Sequence, residues 1–359
     1  MILVVDYSMS GAKILAYEKN GNKRSVPLGE ESFSGEPEVL RKAVRSFIGR
    51  ARITAISFKM IFGGDLFDGP TLVDEAFFER FVGLTEQFSF YVPSAAEILK
   101  KFRLAFHDVP LIAFFETSFF RDLPDEEKFY ALPLEYCAEN NIRKWGFHGI
   151  YHEMNAGLVT DGCKCVSVVF DKQTTVCAIK EGRPVSISLG YTPLEGVMSM
   201  PSCGDLDPGI VFYLMNVHKH SIYWIDNMLK NESGFKGMTG YDIEFKDMFK
   251  LRGKDAKVDL AFEVYIAQIM KYIGEGISVL GGLDKIFFSG SNVSLLFPLV
   301  YDLVKRISFL GINIAELPWG LNDGLLRVSS DESKIEVNIN SKDVLDIIFL
   351  LSKDFQGRF

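Results

Sequence analysis

No apolar run in the sequence approaches the roughly 20 residues needed to span a bilayer. The longest, such as Leu111–Phe115 and Ile347–Leu351, fall far short of it. The start, Met1-Ile-Leu-Val-Val-Asp6, has no basic flank and only a very short apolar stretch, so no secretory leader is expected. Cysteine is sparse: five residues, an odd count, with no CxxC pair. That excludes a disulfide framework and the usual zinc spacings, and Cys163-x-Cys165 reads as two residues at the start of a strand. Positive charge is also short, 39 Lys+Arg against 47 Asp+Glu for a net charge of −8. A nucleic-acid backbone binder usually carries a basic stripe, so that class is excluded too. A local pocket of donors for an anion remains open, because net charge does not set local potential. The expectation is a cytoplasmic protein in a reducing compartment, with neither membrane nor nucleic acid as a partner.

What is present is an ordinary globular chain of 359 residues, 48% hydrophobic and 24% charged. Its length suits two domains of about 150 residues or somewhat more. Ile2–Val5 ends at Asp6, a small-residue loop (Ser8-Met-Ser-Gly11) follows, and Ala12–Tyr17 leads to the turn Lys19-Asn-Gly-Asn22. Strand, loop, strand and glycine turn make a β-hairpin pattern. It returns at Val166–Phe170, Asp171, Lys172–Thr175, Val176–Ile179 and Glu181-Gly182. Two such hairpins about 165 residues apart indicate an internal duplication, one copy opening each domain. Further strands are expected at Ile53–Ile61, Leu111–Phe115 and Lys285–Phe288, and a helix from Val258 to Leu280, stopped by Gly281-Gly282. Alternating strands and helices argue an α/β architecture. Ligands in such folds sit beyond the carboxyl ends of strands, which points to the loops after Val5, Phe115, Phe170 and Phe288. No linker is evident, so the domain boundary is expected at a short crossover near residues 119–125.

Gly146-Phe-His-Gly-Ile-Tyr-His152 sets two histidines four apart, on one face if the segment is helical. One reading is a satisfied structural pair at a helix start. The other is an imidazole held between glycines that donates to a phosphoryl oxygen, the kind of contact that matters in phosphoryl transfer. Without a following Glu or Cys the pair makes a poor zinc site. Ser289-Gly-Ser-Asn292, directly after a strand, offers backbone N–H groups to an anion. Gly190–Gly196 and Ser202–Gly209 are turn-rich acidic loops, and the glycine-punctuated Asn231–Gly240 has no role that spacing reveals.

Taken in order, these segments resemble the acetate kinase family of short-chain carboxylate kinases, within the actin, sugar kinase and chaperone superfamily. The resemblance runs through Val4-Val-Asp6, Phe58-Lys-Met-Ile-Phe-Gly-Gly64, Phe115-Glu-Thr-Ser-Phe119, Tyr130-Ala-Leu-Pro133 and Ile142–Gly149. It continues through Thr192-Pro-Leu-Glu-Gly196, Gly204-Asp-Leu-Asp-Pro208, Glu232-Ser-Gly234 and Gly281-Gly-Leu-Asp284. It implies an α/β fold of two duplicated ribonuclease H-like domains with a nucleotide cleft between them, and a homodimer. The first domain would be 1–120 plus about 344–359, its last helix crossing back, and the second 121–343 with the nucleotide-binding loops. The implied reaction moves the γ-phosphoryl group of ATP to acetate or a similar carboxylate, with Mg2+, giving an acyl phosphate and ADP.

The resemblance also assigns residues. His148 matches the histidine at the transferred phosphoryl group, and His152 the second, phosphate-side histidine. Asp6 stands where the family has a substrate-contacting Asn, Lys59 where it has a first catalytic Arg, and Glu116 where it has a catalytic, metal-associated Asp. Asp343 matches the second metal-associated carboxylate, and Glu244 and Lys246 match an Asp and Arg at the base. Gly290, Ser291 and Asn292 fall in the nucleotide loop. Lys for Arg keeps charge but loses the two-pronged contact. Two departures are larger: the second catalytic Arg falls at Ser202, and a Leu-Gly-Asn-Gly phosphate loop reads Phe170-Asp-Lys-Gln173. Side chains replace glycines that admit a phosphate, Asp171 adds a negative charge, and Lys172 can answer it as a phosphate-binding point charge. Losing one preorganised donor costs on the order of 10² to 10³ in rate. Three readings follow: a carboxylate kinase using ATP, a catalytically impaired relative that binds or regulates, and an enzyme with another donor such as pyrophosphate.

Overall fold

The computed structural model describes residues 1–8, 11–26, 35–89, 91–291, 293, 297–315 and 324–357. The chain divides into two units, Met1–Arg121 with Asp343–Phe359, and Asp122–Lys342.

In the first unit β1 (Ile2–Ser8), β2 (Gly11–Tyr17), β3 (Lys23–Val26), β4 (Ala55–Met60), β5 (Thr71–Leu72) and β6 (Leu111–Phe115) form one sheet in the order β3-β2-β1-β4-β6-β5. β1 to β3 make an antiparallel meander, while β1, β4 and β6 run parallel. β6 is buried at all five positions, as expected of a parallel strand covered on both faces. Helix α1 (Pro37–Ile48) buries Leu40, Val44 and Ile48 at a spacing of four, which is the helical period. Asp74 caps α2 (Glu75–Val82) by accepting from Phe77 N at 2.8 Å. Together with α3 (Val92–Ala105), these helices bury a phenylalanine-rich core in which the Phe67 ring stacks on Phe115 at 4.6 Å and meets Phe77 at 5.0 Å. The C-terminal helix Val344–Gln356 belongs to this unit and packs on β1 and β4. Its Phe349 ring stacks on Tyr17 at 4.4 Å, and the buried Ser352 and Ser57 hydroxyls meet at 2.7 Å.

The second unit repeats the plan. β7 (Lys164–Phe170), β8 (Thr174–Lys180), β9 (Arg183–Ile187), β10 (Lys285–Ser289), β11 (Leu325–Arg327) and β12 (Glu336–Asn340) lie in the order β11-β12-β10-β7-β8-β9. An antiparallel meander again leads into two parallel strands, so β7-β8-β9-β10-β12 correspond to β1-β2-β3-β4-β6. The helices that carry site residues are α4 (Gly149–Ala156), α5 (Pro208–Asn216), α6 (Ile222–Asn231), α7 (Gly234–Thr239), α8 (Phe245–Lys250) and α9 (Ala256–Leu280). α9 starts at Asp255, whose side chain accepts from Lys257 N at 2.8 Å, and ends at Gly281 in the left-handed conformation with φ 64°. It packs on β7 and β8, where Gly276 lets the helix approach: a Cβ there would stand 3.1 Å from Val166. The protein is thus α/β with two six-stranded sheets. Strand β4 is shorter than the apolar run Ile53–Ile61, and β1 runs on through Asp6 to Ser8.

Candidate active site

In the first unit three parallel strands end side by side, and each contributes one charged residue. Asp6 of β1 is in register with Lys59 of β4, and Glu116 follows β6 with its N–H bonded to the Met60 carbonyl at 2.8 Å. The Lys59 ammonium lies 3.4 Å from Asp6 and 3.6 Å from Glu116. Glu116 is buried at 3% exposure, with the lysine as an ion-pair partner. The Phe62-Gly-Gly64 loop closes over this point: Gly63 N donates to the Thr117 hydroxyl at 3.0 Å, and a Cβ at Gly63 would stand 2.7 Å from the Phe115 ring. Asp343 caps the C-terminal helix, accepting from Leu345 N at 2.9 Å. Glu116 and Asp343 are oxygen donors of the type magnesium takes, one or two carboxylates with water and phosphate completing its shell. No group of three or more His, Cys, Asp or Glu is arranged to enclose a metal among the described residues.

In the second unit the two histidines are not side by side on one helical face. His148 is the N-cap of α4, in the left-handed region at φ 60°, and only His152 lies within the helix. For a non-glycine residue that conformation is strained, and the flanking Gly146 (φ 66°) and Gly149 make the turn possible. Both imidazoles meet one hydroxyl: Thr175 Oγ1 is 3.1 Å from His148 Nδ1 and 2.9 Å from His152 Nε2. His152 Nδ1 meets Ser167 Oγ at 2.8 Å, and Asn155 donates to Ser167 and to Ser289, each at 2.9 Å. His152 is fully buried with both ring nitrogens engaged. Burial, and secondarily the neighbouring His148, hold its pKa well below the ordinary 6.5, so it is neutral. It therefore orients His148 through Thr175 and presents no nitrogen to a ligand.

The altered phosphate loop is a tight turn between β7 and β8, with Phe170 paired to Thr174. Its side chains are engaged within the protein: Gln173 Nε2 donates to the Pro193 carbonyl at 2.9 Å, and Asp171 accepts from the Ser291 hydroxyl at 2.8 Å. Gly290 is required where the two loops meet, since it has φ 113° and a Cβ would collide with the Phe170 carbonyl. Lys172 is exposed at the tip. Asp171, Lys172, Ser202, Glu244 and Lys246 all line one cavity of about 640 Å³, with Phe170, Met198, Phe245 and Tyr265 as apolar walls. Ser202 is buried and its hydroxyl meets Ser199 Oγ at 2.7 Å. Glu244 and Lys246 pair with each other at 2.5 Å on the exposed rim. Asn292 lies outside the described residues. Sequence reasoning missed Thr175, Ser167 and Asn155, three small polar residues with no spacing signal. It also missed Lys230, which lines the cavity from α6.

Residues 7–345 match the profile of the Acetokinase family. The chain belongs to that family. It is 31% identical over 294 residues to the acetate kinase of Dictyoglomus thermophilum, covering 79% of this chain and 73% of the relative. It is 24% identical over 340 residues to the acetate kinase of Clostridium novyi, covering 90% and 84%. Among solved structures, the acetate kinase of Porphyromonas gingivalis superposes with a TM-score of 0.84 at 20% identity, over 98% of each chain. The propionate kinase of Francisella tularensis gives 0.84 at 21% identity over 97% of each. These superpositions establish the shared two-sheet α/β fold, while family membership rests on the sequence matches.

Proposed function

We propose that this chain is a carboxylate kinase that transfers the γ-phosphoryl group of ATP to a short-chain carboxylate such as acetate or propionate, in the cytoplasm. Family membership supports the reaction class and does not favour the non-catalytic reading. The observation that carries the proposal is the buried His148–Thr175–His152 relay, which holds one imidazole in a strained, defined orientation at a helix start. Strain maintained by a fully satisfied network is what a preorganised donor needs.

In this reading a carboxylate oxygen attacks the γ-phosphorus in line. The new C(O)O–P bond forms as the bond to the β–γ bridging oxygen breaks, and ADP departs with that electron pair. In the second unit His148, anchored through Nδ1, offers Nε2 to a phosphoryl oxygen; in the first unit the Lys59 ammonium offers positive charge to an anion. Asp6 keeps Lys59 in place and borders the carboxylate. Glu116 and Asp343 would hold Mg2+, which supplies charge neutralisation at the phosphates. Lys172 meets the outer phosphates, while Glu244, Lys246, Gly290, Ser291 and Asn292 serve the nucleoside. His152 passes from phosphate contact to positioning residue.

We further propose a homodimer. Helix α5 buries none of its side chains, and Phe212, Tyr213, Val217 and Tyr223 of the α5–α6 region are 61%, 53%, 60% and 85% exposed. Several large apolar side chains exposed on neighbouring helices favour an interface there.

The test traps acyl phosphate as its hydroxamate. Acetate, propionate or butyrate is supplied with magnesium and either ATP or pyrophosphate, and His148→Ala serves as the blank. Signal above the blank with ATP is expected. Signal with pyrophosphate alone would replace the donor, and none with either, from folded protein, would overturn the reading.

A further inference from the structure

We infer that Lys230 is a phosphate-binding cation of the cavity in the second unit, holding a polyphosphate chain at the end where Ser202 carries no charge. This rests on the carboxylate kinase reading for the reaction it serves; the anion site itself is argued from the cavity.

Among the described residues, five charged ones line that cavity: Asp171, Lys172, Lys230, Glu244 and Lys246. Of these, the other four sum to zero, and Lys230 makes the described lining positive. Lys246 is matched by Glu244 on the rim, and Ser202 is turned toward Ser199. Backbone bonds set Lys230 beside Ser202. Cys203 N donates to the Leu229 carbonyl at 3.0 Å and Ser233 N to the Pro201 carbonyl at 2.9 Å, so residues 201–203 are clamped to the end of α6. Gly234 permits the seat, because at φ 58° a Cβ there would meet the Ser199 and Ser202 carbonyls. Residues 202 and 230 are each one step from the bonded pair Cys203–Leu229, and both line the cavity. Lys230 pairs with Asp226 one turn back at 2.7 Å, with both side chains about half exposed, 47% and 52%. Such a pair contributes little, so a di- or trianion can take the ammonium, a compact point charge suited to phosphate.

The test is calorimetric titration of the full chain with ATP, pyrophosphate and adenosine, magnesium present. Lys230→Gln should weaken ATP and pyrophosphate about 10- to 100-fold, the range of a charge-assisted bond, and leave adenosine within about twofold. Lys230→Arg should retain affinity, and Lys271→Gln, on α9, should change nothing. Unchanged polyphosphate affinity in Lys230→Gln would overturn the assignment. So would an equal loss of adenosine, a fall in the arginine variant as deep as in the glutamine one, or wild-type protein that binds neither anion. Hydroxamate trapping on the same wild-type preparation separates the two ideas. Lys230-dependent binding without acyl phosphate sinks the kinase reading alone, and turnover with Lys230-independent binding sinks this one alone.

Discussion

The neutral, fully buried His152 makes acid lability the sharpest test of the relay. Its folded-state pKa lies well below 6.5, through burial first and the charge of His148 second. Below pH 6.5 the unfolded chain takes a proton at this residue and the folded chain does not. The stability tied to the neutral ring is therefore complete above pH 6.5 and is lost as pH falls toward the folded pKa. The loss grows as pH falls below 6.5, at no more than about 1.4 kcal/mol per pH unit. His152→Gln cannot titrate, but it loses at least one of the bonds to Ser167 and Thr175 and leaves a buried hydroxyl short of a partner. It should be about 1–3 kcal/mol less stable at pH 7.5. Urea unfolding of both proteins between pH 7.5 and 5 gives the difference directly, and the subtraction removes the carboxylates common to both. The gap should narrow steadily as pH falls below 6.5, by no more than about 1.4 kcal/mol per pH unit. A gap that stays constant or widens would show that the folded chain protonates His152, and the relay as described would be wrong.

Three other outcomes are expected. Thr175→Val removes the hydroxyl between the imidazoles while keeping its shape; kcat for acyl phosphate formation should fall about tenfold or more with KM for ATP little changed, since a transition-state contact is lost and ground-state binding is not. Gly290→Ala should lower stability by at least about 2 kcal/mol, read as a drop in Tm, because φ 113° strains any side chain and the Phe170 carbonyl blocks the new methyl. Replacing Phe212 and Tyr223 together by Glu should halve the mass seen by sedimentation if the α5–α6 face is the dimer contact, and leave the melting of a monomer unchanged.

Much of the fold was legible because its signals are local. Alternating apolar strands, the glycine stop at Gly281 and the repeated hairpin each announce themselves over a few residues, and the matching strand orders of the two sheets bear the duplication out. Asp6, Lys59 and Glu116 came from the family resemblance; strand pairing sets Asp6 beside Lys59, and the Glu116 N–H bonds the Met60 carbonyl next to them. The relay was not legible. Thr175, Ser167 and Asn155 are small polar residues on strands and a helix, and only the pairing of β7 with β8 under α4 makes them partners of the histidines.

Position-by-position comparison also misjudges the altered loops, because it counts replacements singly while the structure answers them in groups. Gln173 and Asp171 look like obstructions to phosphate. Each, however, is tied into the protein, by the Pro193 carbonyl and the Ser291 hydroxyl. A carboxylate that already accepts a hydroxyl, beside an exposed Lys172, repels an incoming anion less than an isolated one. The missing charge at Ser202 is answered from another element, since the clamp between residues 201–203 and α6 puts Lys230 at the same end of the cavity. A lysine at that end supplies a point charge for phosphate, without the two-pronged contact of an arginine. The altered loops are therefore to be weighed together with the charge that Lys230 adds to the described lining, and the titration of Lys230→Gln measures that sum directly.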